Sequence, residues 1–200
     1  MLKTKFVKDR ILIVDFGSQV TQLIARRVRE SGVFCEIHPF NKVDSESLKS
    51  FEPTGIILSG GPASVHGIAP PTADEGVFSL GVPVLGICYG EQTIVKQMGG
   101  DVEPSDHREF GRAFVHIKRQ SPLIEGVWGP GKEYQVWMSH GDRINAIPDG
   151  FEVIGTSDGS PFAIIANENK RIYGVQFHPE VVHTPDGAGL LKNFTHGICG

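Results

Sequence analysis

Residues 82–92 read VPVLGICYGEQ, an apolar run that ends at a cysteine with a glycine two positions away on either side. The spacing Gly-x-nucleophile-x-Gly between a strand and a helix is typical of a nucleophile elbow, here with sulfur in place of a hydroxyl oxygen. Such a turn strains the backbone of the nucleophile, and glycines at 86 and 90 avoid crowding by side chains. The stretch therefore predicts a strand over 82–87, a tight turn at Cys88 and a helix over 90–98.

The same alternation of strand and helix continues on both sides of this turn. Upstream, apolar runs and helical spacing predict strands at 11–14, 33–37 and 55–58 and helices at 19–30, with Ser18 as N-cap, and at 73–80. Downstream, short turns separate predicted strands at 114–118, 134–138, 151–156, 162–167 and 172–177, before a last helix at 186–196. We therefore predict an α/β fold of three layers: a central, mostly parallel mixed sheet flanked by helices, with an antiparallel section in the C-terminal third.

Composition and charge exclude several classes of function. The net charge of −4 offers no basic surface for nucleic acid, and no apolar run approaches the ~20 residues that a membrane span needs. Three scattered cysteines, Cys35, Cys88 and Cys199, are too few for a disulfide framework, which favours a reducing cytoplasm where a thiol stays free to react. The histidines and cysteines show no metal-ligand spacing, so no metal site is predicted.

A cysteine nucleophile requires a base, and residues 172–180, IYGVQFHPE, supply a candidate. His178 ends a strand-like run, and Glu180 follows at a two-residue spacing that projects both side chains to one side. Pro179 keeps the segment extended. Glu180 could then hold one imidazole nitrogen while the other faces the thiol, which makes Cys88, His178 and Glu180 a candidate triad. A buried packing cysteine and a surface turn at His178 are the alternatives.

Two backbone features could stabilise the negative oxygen that forms during attack on a carbonyl. The N–H group of Tyr89 follows the nucleophile at the start of a helix, where the helix dipole also favours thiolate over thiol. A second glycine cluster, residues 59–64 (SGGPAS), follows the strand at 55–58 and could direct another N–H group at the same oxygen. It lacks the lysine of a phosphate-binding loop, and Ala63 replaces the aspartate of a pyrophosphatase loop, so we reject a nucleotide role for it.

Several segments between residues 11 and 183 carry a resemblance to a known family. They are ILIVDFGSQ, GIILSGGPASV, GVPVLGICYGEQ, REFGRA, VWMSHGD and IYGVQFHPEV. The chain resembles the class I, triad-type glutamine amidotransferases, whose domain is flavodoxin-like. The cysteine turn together with FHPE is specific to this class. The segments DFGSQ, REFGRA and MSHGD and the tyrosine at 89 resemble the GMP synthetase branch of the family.

The resemblance implies hydrolysis of L-glutamine to glutamate and ammonia through a glutamyl thioester on Cys88. His178 would donate a proton to the departing ammonia, and the N–H groups of Gly61 and Tyr89 would form the oxyanion hole. Asp142 would face the α-ammonium group of glutamine, because a buried cation requires an anion, although a solvated turn aspartate is its alternative. The residues implied to line the glutamine pocket are Gln92, Ser139, His140, Gly141 and Asp142.

The resemblance also implies a division of the chain and a partner. It assigns residues 1–10 to an N-terminal extension, 11–194 to the glutaminase domain and 195–200 to the start of a linker to a synthetase (ATP pyrophosphatase) domain. That domain, in cis or in trans, would use ATP and magnesium to adenylate XMP, which the ammonia then aminates to GMP. The glutaminase domain itself would need no cofactor and would release ammonia only weakly alone. The full-length enzyme would be a homodimer, with no nucleic acid and no membrane as partner.

Other functions stay open at this point. They are the glutaminase of an anthranilate synthase or CTP synthase, a γ-glutamyl peptidase, and a non-catalytic cysteine regulator on the same fold. Tyr89 and the segment REFGR at 108–112 argue against the first of these. One residue departs from the family pattern, because Glu91 stands where methionine or histidine is usual. A carboxylate there would oppose thiolate formation three residues away, so the sequence predicts that Glu91→Met raises glutaminase activity.

Overall fold

A computed structural model describes residues 9–200, except for the side chains of residues 106–108, so most of the predicted N-terminal extension lies outside the described residues. The strands are β1 (Arg10–Asp15), β2 (Phe34–Pro39), β3 (Gly55–Leu58), β4 (Val84–Ile87), β5 (Asp101–Ile117), β6 (Glu133–Ala146), β7 (Glu152–Thr156), β8 (Ile164–Asn167) and β9 (Ile172–Val175). The helices are α1 (Thr21–Glu30), α2 (Ser45–Phe51), α3 (Glu75–Ser79), α4 (Tyr89–Gln97) and α5 (Gly187–Lys192), which continues into a π-helical turn (Asn193–Ile198). Short 3₁₀ turns lie at Phe40–Lys42 and Pro122–Ile124.

All the strands named above belong to one mixed sheet in the order β2-β1-β3-β4-β9-β8-β7-β5-β6. The pairs from β2 to β9 are parallel, and the pairs from β9 to β6 are antiparallel. This arrangement confirms the predicted fold class, including the antiparallel section. Because the carboxyl ends of parallel strands meet at one edge, the segments after β1, β3, β4 and β9 come together there.

Alternation along the central strands divides the core between the two faces of the sheet. In β1, Ile11 and Ile13 pack in one cluster with residues of α1 and α5, and Leu12 and Val14 pack in the other with residues of α2, α3 and α4. Helices therefore cover both faces, which accounts for the three layers. No helix among residues 9–200 is long and apolar enough to cross a bilayer.

The structure corrects two predictions about individual elements and adds a helix that was not predicted. β5 and β6 form a hairpin much longer than the strands predicted at 114–118 and 134–138, with a register shift between Pro104 and Glu109. Ser18 does not cap α1; the N-cap is Val20, and the Ser18 hydroxyl accepts a hydrogen bond from the Val20 N–H at 3.1 Å. α2 was not predicted from the sequence, although the Asp44 side chain caps it.

Candidate active site

Cys88 occupies a strained turn between β4 and α4. Its φ of 54° and ψ of −108° lie in a region that side chains rarely adopt, and its N–H donates to the Val175 carbonyl at 2.8 Å. A Cβ atom at Gly86 would lie 2.6 Å from the Glu91 nitrogen, and one at Gly90 would lie 2.3 Å from the Leu58 oxygen. Glycine is therefore required at both positions because neighbouring backbone atoms leave no room for a side chain. Crowding of the Cys88 side chain, the reason expected from the sequence, is not the cause.

The structure brings together the three residues of the predicted triad. β4 and β9 are paired in parallel, so His178, which follows β9, lies beside Cys88, and both side chains line one cavity. The thiol itself donates to the Ser139 carbonyl at 3.4 Å. On its other side, His178 Nδ1 lies 2.8 Å from Oε1 of Glu180, which is fully buried. Burial alone would lower the pKa of His178, but its interactions with the Cys88 thiol and the Glu180 carboxylate raise it to about 10. The imidazole is thus well placed to hold the proton of the thiol.

A buried threonine fixes the backbone of His178, and nothing in the sequence pointed to it. The Thr184 hydroxyl donates to the His178 carbonyl at 2.7 Å and accepts from the Trp137 N–H at 3.0 Å. The His178 N–H in turn donates to the Trp137 carbonyl at 2.9 Å. These bonds join the loop after β9 to strand β6, so the position of the imidazole depends on residues that lie far apart in sequence.

Two cavities meet at Cys88. The histidine cavity, of about 320 Å³, is lined by Gly17, Ser18, Gln19, Val20, Gly61, Pro62, Cys88, Trp137, Ser139, His178 and Val181. The aspartate cavity, of about 330 Å³, is lined by Gly61, Pro62, Ala63, Ser64, Cys88, Tyr89, Gln92, Phe110, Ser139, His140, Gly141 and Asp142. His178 lines only the first cavity and Asp142 only the second, while Cys88 lines both.

All five residues of the predicted glutamine pocket line the aspartate cavity. Two of them, Gln92 and His140, also form hydrogen bonds with Asp142. The Asp142 carbonyl accepts hydrogen bonds from Gln92 Nε2 at 3.1 Å and from His140 Nδ1 at 2.9 Å. Its carboxylate oxygen Oδ2 is buried and has no hydrogen-bond partner in the part of the chain that the structure describes. Asp142 lies in β6, not in a solvated turn, and its backbone carbonyl is held from α4 by Gln92 and within β6 by His140.

Glu109 is a residue of this site to which sequence reasoning gave no role. Its carboxylate lies 3.1 Å from His140 Nε2 and within 3.3 Å of the Ser157 hydroxyl. It therefore supports the histidine that holds Asp142. The signal available in the sequence was its place in REFGRA at 108–113, a segment that marks the family but does not indicate a contact; the Arg108 side chain in that segment lies outside the described residues.

The two predicted oxyanion donors both adjoin the sulfur. Tyr89 is the first residue of α4, where backbone N–H groups lack partners within the helix, and its hydroxyl donates to the Pro71 carbonyl at 2.6 Å. Gly61 lines both cavities, and a Cβ atom there would lie 2.7 Å from the Phe16 carbonyl oxygen. The close approach of the turn after β1 thus requires glycine at position 61.

Comparison with known proteins decides the family. Residues 12–198 match the family model described as glutamine amidotransferase class-I. The chain belongs to the class-I glutamine amidotransferase family. A Brucella melitensis protein named GMP synthase [glutamine-hydrolyzing] is 59% identical over 199 residues, which cover all of this chain and 39% of that protein. The matching Brucella ovis protein has the same name and the same identity, and this chain covers 38% of it.

Solved structures agree with this assignment. A Thermoplasma acidophilum protein described as a GMP synthase subunit superposes with a TM-score of 0.77 at 33% identity, over 95% of this chain and 93% of that one. A glutamine amidotransferase from Thermotoga maritima gives a TM-score of 0.69 at 18% identity over 96% and 99% of the two chains, which shows a shared fold. The chain thus accounts for a complete amidotransferase fold but for about two fifths of the length of its curated relatives.

Glu91, which departs from the usual pattern of class-I amidotransferases, is fully buried. Neither of its carboxylate oxygens has a hydrogen-bond partner among the described residues, and a Cβ atom at Gly174 would lie 2.5 Å from Glu91 Cγ. Burial, and then the charge of Cys88, raise the pKa of Glu91 well above its ordinary value. A raised pKa shifts the carboxyl toward its neutral form, which carries no charge to oppose the thiolate, and so weakens the electrostatic argument for an activity gain in Glu91→Met.

We expect Glu91→Met instead to stabilise the protein, by an amount that increases with pH. In the unfolded chain the carboxyl ionises near its ordinary pKa of 4.5, whereas in the folded protein it stays protonated to higher pH. As the pH rises above that value, ionisation of the carboxyl lowers the free energy of the unfolded state more than that of the folded state. The free energy of unfolding of the wild type therefore falls. Methionine does not titrate, and it removes an unpaired buried polar group that costs about 1–3 kcal/mol.

Thermal melting between about pH 5 and about pH 8 measures this difference, which should widen as the pH rises. Glu91→Gln is the matched control, because it keeps the shape and the unpaired polar group but cannot ionise. We expect the stability difference between Glu91→Gln and wild type to depend on pH in the same way, but to be smaller than the difference for Glu91→Met. A difference between Glu91→Met and wild type that stays constant over this range would contradict a buried, protonated Glu91.

Proposed function

We propose that this chain is a glutaminase that hydrolyses free L-glutamine to glutamate and ammonia. The observation that carries the proposal is Cys88 beside the hydrogen-bonded pair His178 and Glu180, at a cavity that Asp142 also lines. A nucleophile, a base and an orienting carboxylate form the arrangement needed for acyl transfer. An aspartate in the wall of the cavity suits a substrate that carries an ammonium group.

The geometry supports a reaction in two steps. The Cys88 sulfur attacks the side-chain amide carbon of glutamine, and the N–H groups of Tyr89 and Gly61 stabilise the oxyanion that develops. His178 gives its proton to the amide nitrogen, the carbon–nitrogen bond breaks, and ammonia leaves a γ-glutamyl thioester. A water molecule then attacks the thioester carbon and gives its proton to His178, and the carbon–sulfur bond breaks to release glutamate. Glu180 binds Nδ1 and so keeps Nε2 directed at the sulfur.

We further propose that the ammonia serves GMP synthesis. The support is the 59% identity to proteins named GMP synthase [glutamine-hydrolyzing], of which this chain spans 39%. On this proposal residues 11–194 are the glutaminase domain and residues 195–200 begin a linker to a synthetase domain, which uses ATP and magnesium to prepare XMP for amination. The assembled protein would be a cytoplasmic homodimer, and the chain itself would hold no cofactor.

Asp142→Asn tests how glutamine is recognised. Asparagine keeps the shape and the backbone carbonyl that Gln92 and His140 bind, but removes the charge that faces the substrate ammonium. We expect KM for glutamine to rise about 10- to 100-fold with a much smaller change in kcat, because a charged hydrogen bond in a closed site is worth about 1.5–3 kcal/mol.

Coupled measurement of glutamate and ammonia over a range of glutamine concentrations gives both constants. Asp149→Asn is the control, since this exposed aspartate lines neither cavity. If Asp142→Asn left KM unchanged, the aspartate cavity would not be the site of the amino acid ammonium group. Absence of glutamine hydrolysis by the wild-type chain, alone and with a synthetase domain, would refute the proposed activity itself.

A further inference from the structure

The histidine cavity takes no part in holding the amino acid end of glutamine. Asp142, Gln92 and His140 line only the aspartate cavity. Part of the wall of the histidine cavity is instead the turn at 17–20, which overlaps the DFGSQ segment (residues 15–19) and has no role in the chemistry described above. The segment enters the site because β1 and β3 are neighbouring parallel strands that end at the same edge of the sheet.

The position of His178 determines which side of the sulfur receives the leaving nitrogen. His178 protonates that nitrogen and later accepts a proton from the attacking water, so both must lie next to the imidazole. The imidazole lines the histidine cavity, whereas the carbon chain of the substrate extends toward Asp142 in the aspartate cavity. The scissile bond therefore spans the point where the two cavities meet at Cys88.

The turn after β1 lies close to the reacting groups. A Cβ atom at Gly60 would lie 3.2 Å from His178 Cε1, 3.7 Å from Cys88 Cβ and 3.7 Å from the Ser18 hydroxyl. Ser18 and the two catalytic side chains thus surround one point in the structure. A bulky side chain at position 18 would fill space directly beside the imidazole.

The chemistry of the cavity wall suits a small neutral ligand. Of the described residues that line it, Cys88 and His178 alone have side chains that titrate, and both belong to the catalytic group. The volume of about 320 Å³ is several times the roughly 30 Å³ that a water molecule occupies in the liquid. Ammonia, water and a small amine all meet these conditions, whereas a cation would find no counter-ion beyond the catalytic pair.

We propose that the histidine cavity is the nucleophile site, which receives the departing ammonia and admits the water or small amine that attacks the thioester, and that residues 17–20 set its size. This inference rests on the proposed glutaminase activity. It predicts that an amine such as hydroxylamine competes with water. Its nitrogen attacks the thioester carbon, its proton passes to His178, the carbon–sulfur bond breaks, and γ-glutamyl hydroxamate forms in place of glutamate.

The test measures the ratio of hydroxamate to glutamate that the 200-residue chain produces from glutamine at a fixed hydroxylamine concentration. We expect Ser18→Leu to lower this ratio about tenfold, because a filled pocket discriminates against the larger nucleophile, while KM for glutamine stays within about twofold. Gln19→Trp narrows the same cavity from an exposed position, where folding is little affected, and should lower the ratio in the same direction. Ala63→Leu is the matched control, since residue 63 lines only the aspartate cavity.

For Ala63→Leu we expect a higher KM for glutamine and an unchanged product ratio. The inference is overturned if Ser18→Leu and Gln19→Trp keep the wild-type ratio, or if Ala63→Leu changes the ratio as they do. Two other results would show instead that the proposed function is wrong. In one, the wild-type chain forms neither glutamate nor hydroxamate; in the other, the Cys88→Ala variant forms as much of these products as the wild type. In that case the inference fails together with the function on which it rests.

Discussion

Replacing Cys88 with alanine is expected to lower the rate of glutamine hydrolysis by at least about 10³-fold. The sulfur is the atom that forms the thioester, and no other described side chain that lines either cavity is a comparable nucleophile next to His178. Any remaining rate would come from the N–H groups and the bound orientation of the substrate. Alanine tolerates the turn at φ 54° about as poorly as cysteine does, so the backbone strain is the same in both proteins.

Release of glutamate and ammonia measures the rate, and mass spectrometry of the wild type quenched during turnover should detect the γ-glutamyl adduct on the peptide that contains Cys88. Cys199→Ala is the matched control, because Cys199 lines neither cavity and is only partly buried. We expect its hydrolysis rate to match that of wild type. Full activity in Cys88→Ala would show that the thiol is not the nucleophile and would leave the chain with the fold of an amidotransferase alone.

The second large effect concerns folding. We expect Gly90→Ala to destabilise the protein by about 3 kcal/mol or more, since overpacking of a close backbone contact cannot be relieved by rotation of a side chain. A Cβ atom at this position would lie 2.3 Å from the Leu58 carbonyl oxygen and 2.8 Å from the Leu58 carbonyl carbon. Relief would require α4 to move away from β3, which would also displace Cys88 at the start of the helix.

Denaturation by urea, monitored by circular dichroism, gives the free energy of unfolding. Gly197→Ala is the control, because a Cβ atom there meets nothing within 4 Å and the backbone does not have a positive φ. It should leave stability unchanged or raise it by up to about 1 kcal/mol. A Gly90→Ala variant with the wild-type midpoint would show that α4 does not pack on β3 as closely as described.

The central strands were predicted well because each is specified by its own apolar run. β3 begins and ends at the predicted residues, and β1 and β4 differ from prediction by no more than two residues at either end. The full length of the β5–β6 hairpin was not predicted, because Pro104 and Gly111 interrupt the strand pattern in β5. The outer part of the hairpin is stabilised by cross-strand pairing rather than by local preference. Asp142 therefore lies in a strand that no local signal in the sequence revealed.

The candidate site shows the same division. Cys88 and His178 were found from short motifs, since each motif describes a local backbone shape that chemistry requires. Thr184 and Glu109 were assigned no role, because their partners are groups on other elements: Trp137 and His178 for the threonine, His140 and Ser157 for the glutamate. A hydrogen bond between distant segments leaves no pattern in a single sequence.

The sequence by itself indicated the sharp turn at Cys88 through its Gly-x-Cys-x-Gly spacing, although the backbone that requires glycine at position 90, Leu58 of β3, is supplied by the fold. It also determined the alternation of strands and helices, and with it the α/β class. The tertiary structure alone decided the burial of Glu91 that raises its pKa, the fixed position of Asp142 and the meeting of two cavities at Cys88. Ionisation and cavity shape depend on which groups surround an atom in three dimensions, and those groups come from segments that only the folded sheet brings together.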